Sequence, residues 1–416
     1  MIKEDIYNKI NKIKQMKLKI NMERGWPSKE QLELSLPMLD MVTSKTNLLR
    51  EVDYRSYAGT GGILPLKRLF ADMLSTDIEN VYIGGTMSTT IMYDIIEKMC
   101  SLGKDGNPPW NELEDIKFIC PSPGYEKHFK ICKRFNITML PVPMNQDGPD
   151  MDIVEKMVID DCSIKGIWCV PLYSNPTGIV YSDEVVRRLA NMQTAARDFI
   201  IMWDNAYCVH HLTKRRYTIL NILDECTKAG QKDRVFEFTS TSKITFPGAG
   251  VGVCASSADN IKWLENNSLL QLKTGDKINQ LRHYLFLQNM DVVHRHMEKH
   301  AAIIKPKFDL IDKKLRCELR EIKGIKWNNP KGGYFMHIEL LPNMAKAVWM
   351  KCKELGVSIT PAGSTYPYGI DPQDSTIRLA PTYLSLKEIS VAMDVFCCVV
   401  KLVYLKNKTG GSYSEC

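Results

Sequence analysis

The chain has 416 residues, 55 of them Lys or Arg and 48 Asp or Glu, for a net charge of +7, and 44% of its residues are hydrophobic. This is the composition of an ordinary globular protein able to bury a substantial core, and so modest a charge argues against nucleic acid as a partner. No apolar stretch approaches the roughly 20 residues that cross a bilayer, the opening lacks the apolar core of a secretory signal, and scattered cysteines without a CxxC pair point to a reducing cytoplasm.

The first predicted element is an amphipathic helix. In the lysine-rich opening up to Lys19, Ile2, Ile6, Ile10 and Ile13 alternate with lysines. Docking on its own protein or a partner subunit is its expected use, with a membrane surface as the minor alternative. Short apolar runs then recur at 81–83, 116–120, 137–142, 166–170, 199–203, 235–238 and 251–254, most of them separated by helix-capable stretches such as 183–197. Seven strands with intervening helices predict an α/β fold built on a doubly wound, mostly parallel sheet. The last two runs are joined so briefly that the final strand should run antiparallel. From 277 to 319 the pattern is helical, with Pro306 expected to begin a new helix or kink the first. Strands at 334–340, 358–360 and 377–380, with helices at 344–355 and 386–405, predict a smaller α+β domain. The expected division is 1–50 as a segment packing on the small domain, 51–290 as the large domain and 291–416 as the small one. The polar tail 406–416 should fray.

Chemistry concentrates at the ends of the apolar runs. Phe238 to Gly248 reads FTSTSKITFPG, which sets Lys243 in a hydroxyl-rich turn after a strand. A desolvated lysine can be neutral and nucleophilic, as imine formation with a carbonyl requires, and the hydroxyls would serve an anion. Taken alone, the segment fits a surface lysine equally well. Two others decide against that. Residues 165–178 end in Asn175-Pro176-Thr177-Gly178, and 199–207 deliver Asp204 and then Tyr207 after five apolar residues. Open α/β sheets place ligands at such carboxyl ends. A buried aspartate needs a cationic partner, for which a protonated pyridine nitrogen is suited, while Asn175 and Tyr207 can both bond a phenolic oxygen.

The order SNPTG, DNAY, SxxK and a late IRL resembles that of the fold-type-I pyridoxal-phosphate aminotransferases. Arg24 to Ser28, Asp204 to Leu212, Ser240 to Val251, Ile278 to His283 and Tyr368 to Tyr383 resemble the Ic branch of aspartate aminotransferases, over about residues 20 to 400. The resemblance implies pyridoxal 5'-phosphate held by Lys243, Asp204 at the ring nitrogen, and Tyr125 stacked on the ring. It also implies Gly85, Thr86 and Ser240 at the phosphate, with Tyr57 reaching that phosphate from a neighbouring subunit of a homodimer. Gly25, Asn175 and Arg378 would meet the substrate; a guanidinium in an apolar strand otherwise needs an internal acid. Val251 stands where the family commonly has a phosphate-binding arginine. Arg24 and Arg282 are candidates for a second carboxylate, and Trp26 stands where many Ic members have lysine.

The implied reaction moves an amino group between an L-amino acid, aspartate or glutamate first, and a 2-oxo acid such as 2-oxoglutarate. Aromatic substrates, β-elimination or decarboxylation, and a non-catalytic ligand-sensing regulator are the alternatives. No metal is expected: His296 and His300 lack the HExxH pattern and read as a solvated helix face, and His210-His211 as packing residues behind the site.

Overall fold

The computed structural model describes residues 3–57 and 59–408. Its strands in chain order are β1 (Ile20–Met22), β2 (Val81–Ile83), β3 (Lys117–Ser122), β4 (Thr138–Asn145), β5 (Gly148–Pro149), β6 (Ile164–Cys169) and β7 (Ile200–Asp204). They continue with β8 (Val235–Ser240), β9 (Gly252–Ala255), β10 (Lys326–Trp327), β11 (Met336–Glu339), β12 (Val357–Ile359) and β13 (Thr376–Leu379). The main sheet has the order β2-β9-β8-β7-β6-β3-β4-β5. Pairs β3–β4, β3–β6, β6–β7 and β7–β8 are parallel. β9 runs antiparallel to both neighbours, as its short connection requires. The seven expected strands are all present, and the two-residue β5 adds an edge.

These strands read as continuous apolar runs because both faces are covered. Along β7, Ile201 and Trp203 join one buried cluster, while Ile200 and Met202 join another on the opposite face. A third cluster unites the two ends of the chain: Ile6, Ile10, Ile20 and Met22 pack with Val395, Phe396 and Val399 of the helix Leu386–Lys408. The helix Lys3–Gln15 thus docks on its own protein, burying Ile6 and Ile10; Ile2 lies outside the described residues. Two small sheets, β10-β11-β13 and β1-β12, complete this part.

Some boundaries differ from expectation. Pro306 neither starts nor ends a helix: Met290–Leu319 is continuous, and the break falls at Gln288 (φ 52°), after which Asn289 caps the new helix through Val292 N. The helix at 183 ends at Asn191, where Arg234 donates to the carbonyls of Ala190 and Met192. The last helix continues to Lys408, so Lys406–Lys408 are helical rather than frayed, and 409–416 lie outside the described residues. Among the described residues no helix is long and apolar enough to cross a membrane, and no group of His, Cys, Asp or Glu could hold a metal ion.

Candidate active site

Four parallel strands end at one cleft of about 410 Å³, whose wall includes Tyr125, Asn175, Asp204, Tyr207, Ser240, Lys243 and Arg378. β3 leads to Tyr125, β6 to Asn175, β7 ends on Asp204 and β8 on Ser240. The carboxyl ends of parallel strands converge at such a crevice because their backbones share one direction.

Lys243 closes a single helical turn after β8. Its Nζ lies 5.1 Å from the centre of the Tyr207 ring and 5.8 Å from that of Tyr334. Enclosure by protein lowers the ammonium's pKa, and Asp204 pulls the other way. The turn is anchored from below. Tyr334 donates its hydroxyl to Lys243 O at 3.4 Å, and His296 Nε2 donates to Ile244 O at 2.7 Å.

That last bond corrects the reading of His296 and His300. Both are buried, His300 Nε2 lies 3.1 Å from His296 Nε2, and its Nδ1 lies 3.1 Å from Gln31 Nε2. The segment carrying Gln31 and Ser35 covers the helix face that would otherwise meet water. Burial pushes the pKa of both histidines down, that of His300 to about 3. His210 packs edge-on against Tyr207 and Tyr334, as expected of a residue behind the site.

Asp204 is buried, and its Oδ2 accepts from His128 Nε2 at 3.0 Å. Its Oδ1 has no hydrogen-bond partner among the described residues. An orphaned carboxylate oxygen in an apolar setting costs about 1–3 kcal/mol or more, so this atom is built for a donor that arrives from the cleft. A protonated ring nitrogen fits it. His128 is the functional neighbour that the sequence reading missed. It stacks on Trp168 at 4.2 Å and 7°, and lies edge-on to Tyr125 at 5.1 Å. Its only local signal is the spacing of three from Tyr125 at a helix start.

The N-cap Met87 and the first helical residues Ser88 and Thr89 of the helix Ser88–Ser101 line the cleft, whereas Gly85 (φ 66°) and Thr86, expected there, precede them in the loop and are not on its wall. Backbone N–H groups of a helix start favour an anion here. The loop is backed closely by β9 and its approach: a Cβ on Gly252 would sit 2.6 Å from Met87 O, and one on Gly250 2.7 Å from Thr86 O. Val251, between them, is buried in the core and offers no charge. Ser240 Oγ donates to Ser242 Oγ at 3.3 Å, and both line the cleft.

Gly25 and Arg24 also line the cleft. Arg282 does not: its Nη2 donates to Asn279 Oδ1 at 2.6 Å, away from the cleft wall. Tyr57 stands outside this chain's own cleft and is 78% exposed. Arg378, buried in β13, donates to Glu126, Asn175 Oδ1 and Thr360 Oγ1. Glu126 is a second residue that the sequence reading missed.

The doubly wound sheet and a desolvated lysine facing an aspartate at its carboxyl edge define the fold-type-I transaminase class. The sequence matches the family described as aspartate amino-transferase over residues 2–411. It is 40% identical over 400 residues to the aspartate aminotransferase of Corynebacterium glutamicum, covering 95% of this chain and 92% of that one. The solved aspartate transaminase of C. glutamicum superposes with a TM-score of 0.94 at 39% identity, over 97% of this chain and 96% of that one. The α-aminoadipate aminotransferase of Thermus thermophilus, complexed with N-(5'-phosphopyridoxyl)-L-leucine, shares the fold, with a TM-score of 0.76 at 19% identity over 96% and 95% of the two chains. The chain therefore belongs to the aspartate amino-transferase family and is an enzyme of the transaminase type.

Proposed function

We propose that this enzyme is pyridoxal-phosphate-dependent and moves an amino group between aspartate or glutamate and a 2-oxo acid. The observation that carries the cofactor is the open Oδ1 of Asp204 in the same cleft as the desolvated Lys243. When bound, pyridoxal phosphate supplies a carbonyl that joins to amines and a protonated ring that withdraws electrons from a substrate's Cα.

Lys243 would carry that cofactor and, once released, act at Nζ as the base that takes the Cα proton and the acid that returns it. Asp204 keeps the ring nitrogen protonated, and His128 holds Asp204 in place through its other oxygen. Tyr125 gives the ring a face, and Asn175 and Tyr207 serve its phenolic oxygen. Ser240 and the loop of Gly85 and Thr86 receive the phosphate, with Tyr57 of a second copy completing that site. Arg378 takes the α-carboxylate beside Gly25. The homodimer is supported by Tyr57, which is exposed and off this chain's own cleft, where a second copy could use it. The dicarboxylate preference is supported by the likeness to the C. glutamicum enzyme and by the cations Arg24, Lys127 and Lys130 on the cleft wall.

One feature favours a second reading, transfer from aromatic amino acids. Trp26 lines the cleft half-exposed, edge-on to Tyr383 at 6.0 Å. Assay of the purified protein with a panel of amino acids and 2-oxoglutarate decides between the two. Aspartate or glutamate should exceed phenylalanine in kcat/KM by at least roughly a hundredfold, about 2.7 kcal/mol; the reverse order establishes the second reading. Pyruvate or ammonia release without an oxo acid would instead make the enzyme a lyase.

A further inference from the structure

The guanidinium of Arg378 has its fork already filled. Nη1 donates to Glu126 Oε2 at 2.6 Å and Nη2 to Glu126 Oε1 at 3.0 Å, the two parallel bonds that a planar fork offers to one carboxylate. Nε is taken by Thr360 Oγ1 at 3.1 Å, and Nη1 also serves Asn175 Oδ1 at 3.0 Å. A substrate carboxylate cannot have the same bidentate pair while Glu126 holds it.

The two partners are unequally fixed. Arg378 is 3% exposed, tied to Thr360 and Asn175, and lies over the Phe335 ring at 4.6 Å. Glu126 has a side chain 24% exposed, at the start of the helix Glu126–Arg134 and on the wall of the cleft. One turn further along that helix, Lys130 lines the same cleft, at the spacing where an acid and a base on one helix meet. Burial pushes the Glu126 pKa up, but Arg378, then the residue's own backbone N–H and last Lys130 outweigh it and hold the carboxyl below its usual value. The geometry is that of a held cation, a movable anion, and a second cation within the anion's reach.

We propose that Glu126 is a built-in stand-in for the substrate's carboxylate: it occupies Arg378 until an amino acid or oxo acid displaces it toward Lys130, and so sets the affinity for both. This rests on the reading of Arg378 as the α-carboxylate site. If the pair is closed about nine-tenths of the time, the apparent affinity of any carboxylate is lowered about tenfold.

The test is calorimetric titration of succinate, an unreactive dicarboxylate, into the full chain loaded with pyridoxal phosphate, with thermal melts to confirm folding. Glu126→Gln and Glu126→Ala should each bind succinate roughly tenfold more tightly than the wild type. Lys130→Met should bind it severalfold more weakly, because Glu126 then has nowhere else to go. Arg378→Ala should lose binding. In the Glu126→Ala background Lys130→Met should cost nothing further, whereas a Lys130 that simply attracts the dicarboxylate weakens binding there as well, and that result overturns the exchange. Unchanged or weaker binding in the folded Glu126 variants, with binding lost in Arg378→Ala, overturns the stand-in and leaves the carboxylate site standing. Wild-type affinity in Arg378→Ala overturns that site itself, and the stand-in with it. Steady-state KM values for aspartate and 2-oxoglutarate, falling together in the Glu126 variants, provide the second measurement.

Discussion

Two ion pairs are built for different ends: Lys165–Asp198 lies at the amino end of the main sheet's strands, and Arg378–Glu126 joins the small sheet to the cleft at their carboxyl end. At the amino end, Lys165 on β6 donates to Asp198 Oδ1 at 2.7 Å, while Trp110 Nε1 donates to Asp198 Oδ2 at 2.7 Å. Both carboxylate oxygens have a donor and both charged residues are buried. At the carboxyl end, Asp204 keeps an oxygen open and Arg378 is matched to a partly exposed glutamate. A closed set of polar bonds holds strands in register, whereas unfilled or exchangeable valences are what a binding site requires.

The contrast is broken most severely at the carboxyl end. Lys243→Ala should lower turnover by roughly four orders of magnitude or more, since it removes both the attachment point and the proton carrier. The melting temperature of the cofactor-free protein should hold, and a variant that kept most of its amino transfer would refute the role of Lys243. Asp204→Asn should follow, with turnover down by roughly 10²–10⁴-fold and cofactor affinity weakened, measured by absorbance titration.

The amino end should behave in the opposite way. Asp198→Ala strands the Lys165 ammonium in the core and should destabilise the fold by about 3–5 kcal/mol in denaturant unfolding, with KM for substrates unmoved. Replacing both partners by apolar residues, Lys165→Met with Asp198→Leu, should restore only part of that loss, because the buried Trp110 Nε1–H then lacks its acceptor. An effect of Asp198→Ala on KM larger than that on stability would erase the distinction between the two ends.

Between them lies the smallest effect. Glu237 on β8 is buried beside Asn205, which donates to its Oε1 at 2.8 Å. Burial raises its pKa to about 7, with the Asn205 bond opposing. The folded protein therefore holds this proton where the unfolded chain, near the ordinary value of 4.5, releases it. Its contribution is present below about 4.5 and is lost as the pH rises through 7, at a cost of up to about 3 kcal/mol. Glu237→Gln should match the wild type at pH 4 and exceed it at pH 8 in thermal stability; equal stability at both would remove Glu237 from the account.

What a sequence makes legible is whatever one strand and its following turn carry together. Asp204 follows a fully apolar run, Lys243 follows another, and strand direction alone sends both to the same edge, which is why the fold and the strand-end residues Asn175, Asp204, Ser240 and Lys243 of the cleft wall could be read in advance, while Gly85 and Thr86 were expected there and are not on it. The reversal of β9 was legible for the same reason, since a short connection leaves the chain no other direction. Partners distant in sequence were not legible. Nothing near Asp204 names His128, and nothing near Arg378 names Glu126, 252 positions away. The helix carrying His296 and His300 has enough lysine and glutamate to look solvated, and only the arrival of Gln31 and Ser35 buries those rings. Arg24 and Arg282 looked alike as cations until packing placed one on the cleft wall and left the other to Asn279. Local order follows from backbone geometry and the burial of apolar side chains, which act over a few residues. The pairing of charges depends on which elements the folded chain brings within about 3 Å, and that is a property of the packed whole.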